Sequence, residues 1–199
     1  GRNPSEGEYR AVAILDAWTS LYAFGIDAGV DTLTSWMRAV SLCAPRIRGG
    51  QALLIGETDP TLAQSLMLWN STLLAQTELQ EREQTALPPV FAAACVWGRR
   101  DAVKATLERI GALGEGDMST IETAEGVLPS VLGPVPIPQP RTIDSRELEG
   151  TADRVKAVVR VPQSRRGELA LRLRSASARH VAAREPGELR FQLDPKERI

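Results

Sequence analysis

Apolar and polar positions follow a helical period over most of the chain and a strand period near its end. Tyr9, Val12, Ala13, Leu15, Ala17, Trp18, Leu21, Tyr22 and Phe24 cover more than one helical face. They follow a capping-box pattern at Ser5 and Glu8, so they predict a helix buried on two sides that stops at Gly25. Asp31 caps a second predicted helix, in which Leu33, Trp36, Met37 and Val40 form one stripe ahead of Pro45. Residues 51–55 are a short apolar run that fits helix or strand equally. Thr58, Asp59 and Pro60 mark a helix start, with proline where its missing N–H costs nothing. That helix is predicted to run from 60 to about 84 along Leu62, Leu66, Trp69, Leu73 and Leu74.

Pro88 and Pro89 then interrupt the chain, and residues 90–112 predict a helical hairpin turning at Gly98. Val103, Leu107 and Ile110 would line its second helix. Pro89, Ala93, Ala94, Gly98, Val103 and Gly111 make this hairpin similar to the paired helices of an ankyrin repeat. No second copy follows, and repeat folds need several stacked units, so the segment is read as an ordinary hairpin. Ser119 and Glu122 predict a short capped helix ending near Leu128.

Residues 127–141 carry Pro129, Pro134, Pro136, Pro138 and Pro140, which bars a helix or a central strand. An extended arm is expected there, laid over a neighbouring subunit or across the chain's own helical part. Beyond it the period shortens. Val155, Val159 and Val161 alternate with Lys156 and Arg160; Leu169, Leu171 and Leu173 alternate with Arg172 and Arg174. An alanine-rich helix and a third alternation at Leu189, Phe191 and Leu193 complete a β-β-α-β reading. A single helix over 168–185 is the competing reading. The expected fold is therefore mainly α: a helical domain (1–126), a Pro-rich extended arm (127–141), and an Arg-rich C-terminal region containing β-structure (142–199). Trp18, Trp36, Trp69 and Trp97 each sit on an apolar helical stripe, and at least three are expected to share one core.

Composition changes this picture little, whereas charge changes it more. At 43% hydrophobic and 25% charged residues, the chain has the make-up of a folded protein. Its longest apolar run, residues 90–97, is far short of a membrane span, and its first residues lack the apolar core of a secretion signal. An intracellular or particle-bound setting, with no membrane partner, is expected. The net charge of −1 conceals an acidic first part and a basic end in which arginine outnumbers lysine. Arginine favours bidentate contact with phosphate or carboxylate. Arg46 and Arg48 beside Gly49 and Gly50, together with Lys156, Arg160, Arg165, Arg166, Arg172, Arg174 and Arg190, are the candidate binding residues. With 155–161 and 168–174 paired as strands, Lys156, Arg160, Arg172 and Arg174 would share one face, which Arg190 would extend from the third strand. Such a face would grip phosphates without stacking bases, because no exposed aromatic is expected beside it. The chain's own acidic part is the alternative partner for the same arginines.

Candidate chemistry is sparse. Cys43 and Cys95 lie in apolar contexts and read as buried small hydrophobes. His180 stands alone and reads as an exposed helix residue, and no spacing suggests a metal site or a cofactor. The expected function is a non-enzymatic, self-associating structural protein, like a coat or nucleocapsid subunit, that contacts the phosphate backbone of nucleic acid. A monomeric adaptor and an enzyme with a carboxylate-based site are the alternatives.

Overall fold

A computed structural model describes residues 9–137 and 153–195. The predicted cap at Ser5 and Glu8, and the part of the Pro-rich stretch from Pro138 to its end, lie outside these residues. The chain divides into two compact units, 1–78 and 79–199. Eight strands alternate with the helices among the described residues, which corrects the mainly α expectation to a mixed architecture.

In the first unit, β1 (Ala11–Ile14) pairs in parallel with β2 (Gln51–Leu54). The helix predicted over 9–24 is thus a strand followed by a 3-10 turn, Ala17–Tyr22. Val12 and Ile14 satisfy a period of two as well as a helical stripe, and Asp16, at φ 56°, breaks the run between the two elements. Helices α1 (Ala28–Val40), α2 (Pro60–Met67) and α3 (Ser71–Gln84) meet through Leu33, Leu62 and Leu74. The Asp59 carboxylate caps α2, accepting from the Thr61 and Leu62 amides at 2.8 and 3.0 Å. The helix expected over 60–84 divides at Trp69, where φ is 53°, and Asn70 Oδ1 accepts from the Thr72 amide at 3.0 Å to start the second piece. Trp36 borders this cluster, whereas Trp18 and Trp69 are about half exposed, so the expectation of three tryptophans in one core fails.

The second unit is built on a four-stranded antiparallel sheet, in the order β6-β7-β3-β8. Its strands are β3 (Phe91–Arg99), β6 (Val131–Pro136), β7 (Arg154–Pro162) and β8 (Leu189–Leu193). Helix α4 (Arg100–Arg109) follows β3, and α5 (Arg166–Ala182) joins β7 to β8. A small hairpin of β4 (Thr120–Thr123) and β5 (Gly126–Pro129) is inserted between α4 and β6. Without that hairpin the order β-α-β-β-α-β is the split β-α-β, or ferredoxin-like, arrangement. The sheet draws strands from each of the three segments separated by sequence pattern.

Four local readings change here, each for a physical reason. Residues 90–97 form the central strand rather than a helix: a short apolar run buried on both faces has no period by which to tell the two apart. Residues 119–128 turn back as the β4–β5 hairpin instead of a capped helix. The described part of the Pro-rich stretch, expected as an arm laid over another surface, is an edge strand: β6 pairs with β7 along one edge only. An edge strand tolerates residues without an N–H, and the register shifts between Leu132 and Val135, around Pro134. Finally, residues 168–182 are helical, so the β-β-α-β reading loses its second strand. Leu169 and Leu173 are buried in α5, while Leu171 is 67% exposed, a spacing of four rather than two.

Helices α4 and α5 cover one face of the sheet. Ala92, Ala94 and Val96 of β3 and Val155, Ala157, Val159 and Val161 of β7 pack there against Val103, Leu107, Leu169 and Leu173. Alternation sends the intervening residues to the opposite face. At one end of that face Phe91 packs with Ala86 and Ile121, flanked by Val90 and Leu128.

Candidate nucleic-acid interface

The other end of that face carries the candidate site. Trp97 lies on the central strand, directly opposite Lys156 of β7 and Arg190 of β8. Directly opposed residues project to the same side of a sheet, so the indole stands between two cations. Arg154, two positions before Lys156, joins them. Together with Cys95 and Ile137 these residues line an open pocket of about 420 Å³.

Glu188 organises the two arginines. Its Oε2 lies 2.8 Å from Arg154 Nη2 and its Oε1 lies 2.9 Å from Arg190 Nε, so one carboxylate orients a guanidinium on each side. The pocket lining carries three basic side chains, Arg154, Lys156 and Arg190. Arg154 Nε is buried without a hydrogen-bond partner. Trp97, Cys95, Ile137 and Arg154 are site residues that sequence reasoning missed. No local signal marked the β3 residues: positions 90–97 are all apolar, so the alternation that puts Ala93, Cys95 and Trp97 on one face leaves no visible period.

The remaining predicted arginines do not form one face. Arg46 and Arg48 lie in a 3-10 turn of the first unit. Arg160 does share the Lys156 side of β7, but it is 4% exposed and serves the interior. Its Nη1 donates to the Thr85 carbonyl at 2.5 Å and its Nη2 to the Pro129 carbonyl at 2.6 Å, tying the β4–β5 hairpin and the residues before β3 onto the sheet. Burial lowers the pKa of this guanidinium.

Arg165, Arg166, Arg172 and Arg174 belong to α5 and its approach, on the side away from the pocket. Arg172 forks onto Asp117, with Nη1 to Oδ1 at 2.6 Å and Nη2 to Oδ2 at 2.7 Å. Arg165 donates to Asp117 Oδ2 at 2.7 Å and through Nε to Glu168 at 2.8 Å. The Arg172 hydrogen bond first, and that of Arg165 second, hold the Asp117 carboxyl well below the usual carboxylate range. Arg166 pairs with Asp194 at 2.6 Å, and Arg174 is exposed. Asp117 comes from the acidic part of the chain, so Arg165 and Arg172 pair with one of the chain's own carboxylates.

Nearby, Arg109 forks onto Glu185, which also lies 3.0 Å from His180 Nδ1. His180 is 6% exposed, with Nε2 2.9 Å from the Gly187 carbonyl, which corrects its reading as an exposed residue. The Arg109 hydrogen bond, then that of His180, lower the Glu185 pKa to about 2. Of the cysteines, Cys95 is buried and Cys43 partly so. Among the described residues no helix is long and apolar enough to cross a membrane.

Residues 83–196 match the family model described as the primosomal protein N C-terminal domain. The chain is 32% identical over 193 residues to the probable replication restart protein PriA of Mycobacterium leprae, covering 95% of this chain and 27% of that protein. It is 30% identical to the protein of the same name from Mycobacterium tuberculosis, covering 95% of this chain and 28% of that protein. The chain thus spans little more than a quarter of the length of these relatives. These matches overturn the expectation of a coat- or nucleocapsid-like structural subunit, and they lend no support to a homo-oligomer.

Proposed function

The chain belongs to the primosomal protein N C-terminal domain family, and we propose that it serves as a DNA-holding part of a replication restart protein. Restarting replication is work done on DNA, and the names of its relatives carry that work. The second unit then holds the phosphate backbone on the open face of its sheet, with Lys156, Arg154 and Arg190 as the contacts. The observation that carries this reading is the cross-strand register placing Lys156 and Arg190 on either side of Trp97. The Arg165–Arg172 cluster has its guanidiniums committed to Asp117 and Glu168. Binding, rather than catalysis, is the proposed role.

The test is a titration of fluorescently labelled DNA at several salt concentrations, with the wild-type chain and with Lys156→Glu/Arg190→Glu. Each lost phosphate contact should lower the slope of log affinity against log salt by about 1. An unchanged slope and affinity in the double variant would remove this face from the interface.

A further inference from the structure

We propose that Trp97 is a base-stacking platform, and that the pocket around it takes one nucleobase of a single strand while Lys156 and Arg190 hold the flanking phosphates. This rests on the DNA reading above and goes beyond it by assigning the aromatic residue a ligand and the face a preference for unpaired strands.

The cations alone would account for holding a backbone; the indole between them calls for a ligand with an apolar, flat surface. Lys156 and Arg190 leave the sheet from the strands on either side of Trp97 and on the same face as the indole. The sheet thereby presents an aromatic centre between two basic side chains, and a nucleotide strand offers the complement, a flat base between phosphates. Ile137 and Cys95 extend the apolar lining, and the pocket, about 420 Å³, is roomy for one base. Glu188 fixes Arg190 and Arg154 before any ligand arrives, reducing the side-chain freedom lost on binding.

A duplex keeps the faces of its bases stacked on one another, so Trp97 can gain nothing from it beyond what the cations gain. A single strand exposes those faces, and stacking on an aromatic side chain tolerates any sequence. The competing role for Trp97 is internal: its ring packs beneath the aliphatic stems of Lys156 and Arg190 and contributes only stability. The two roles differ in what a change at Trp97 does to binding.

The experiment titrates a labelled oligothymidylate and a blunt duplex of equal length with the wild-type chain, Trp97→Phe and Trp97→Leu, each checked by its melting temperature. Leucine keeps an apolar side chain without a ring face. The expected result is a single-strand affinity about tenfold lower for Trp97→Leu, largely kept in Trp97→Phe, with duplex affinity unchanged. Equal single-strand affinity in Trp97→Leu, or an equal loss on both DNAs, would overturn the platform while leaving the DNA reading in place. No binding of either DNA by the wild type would overturn the DNA reading itself, and the platform with it. Should Trp97→Leu fail to fold, photo-crosslinking of the wild type to an iodouracil-substituted oligonucleotide decides: a crosslink at Trp97 supports the platform, and crosslinks confined to other peptides overturn it.

Discussion

Asp117 accepts both terminal nitrogens of Arg172, at 2.6 and 2.7 Å, and so fastens the loop after α4 to the middle of α5. Between the same two helices' ends Arg109, which lines one pocket with Arg172, holds Glu185. Both carboxyls have folded-state pKa values below their ordinary ones, because arginine hydrogen bonds favour the charged form. A depressed pKa contributes stability that is complete above the unfolded value and is lost as pH falls towards the folded one. For Glu185 that window runs from 4.5 down to about 2, and for Asp117 it lies below 3.8. Asp117→Asn and Glu185→Gln should each melt below the wild type at neutral pH, and the deficit should close as pH falls through these windows. Thermal melts at a series of pH values would show it; a deficit constant with pH would mean that the charged pairs contribute nothing.

The α5 assignment gives a sharper contrast. Leu169 and Leu173 are buried against the sheet, while Leu171 faces out at 67% exposure. Leu169→Ala should cost roughly 2–5 kcal/mol, as buried leucine truncations do. Leu171→Ala should stay within about 0.5 kcal/mol. Urea unfolding of the two variants measures this directly. Comparable losses would instead fit the two-residue period of a strand.

That contrast shows where the sequence was legible. In α1 and in β8 one side of the element is covered, so the apolar period appears in the residues. The Asp59-Pro60 start of α2 was readable for a local reason, since the cap and the proline need no tertiary partner. Central β3 is covered on both faces over most of its length, so its alanines and valines carry no visible period, and their helical propensity misled. In α5 the alternation of leucine and arginine suits two geometries, and only packing chooses between them. The site suffered most from the β3 error: once 90–97 was read as a helix, Trp97 had no reason to meet Lys156 and Arg190 from distant segments. Those two cations were expected on one surface, but the strand that stands between them, with Trp97, depends on a cross-strand register that no local pattern encodes.

Arg160 separates charge that binds outward from charge that binds inward. Its guanidinium bridges the Thr85 and Pro129 carbonyls and is almost wholly buried. Arg160→Met keeps much of the stem but removes both donors. The loss of two hydrogen bonds from a charged group should cost roughly 2–4 kcal/mol. DNA affinity of the folded fraction should be unchanged, in contrast to Lys156→Glu/Arg190→Glu, which should lose affinity with little change in stability. Paired unfolding and binding measurements on both variants check this. Weakened DNA binding by a stably folded Arg160→Met would return that arginine to the interface.

Gly98 connects the fold to the site. Its φ is +147°, and a Cβ built there would lie 2.7 Å from the Glu188 carbonyl carbon. The Glu188 carbonyl is held in place by the Arg99 amide at 2.8 Å, while the Glu188 side chain orients Arg154 and Arg190. Close approach of the Glu188 backbone to β3 therefore needs glycine, for space as well as for conformation. Gly98→Ala must move Glu188 and with it the two arginines that flank the pocket. It should destabilise the chain by more than about 1 kcal/mol, the scale of alanine placed in an incompatible backbone conformation. It should also weaken DNA binding although it removes no charge and no contact atom. Urea unfolding combined with DNA titration of Gly98→Ala measures both effects, and full DNA affinity in the folded variant would show that Glu188 is not needed to hold the arginines in place.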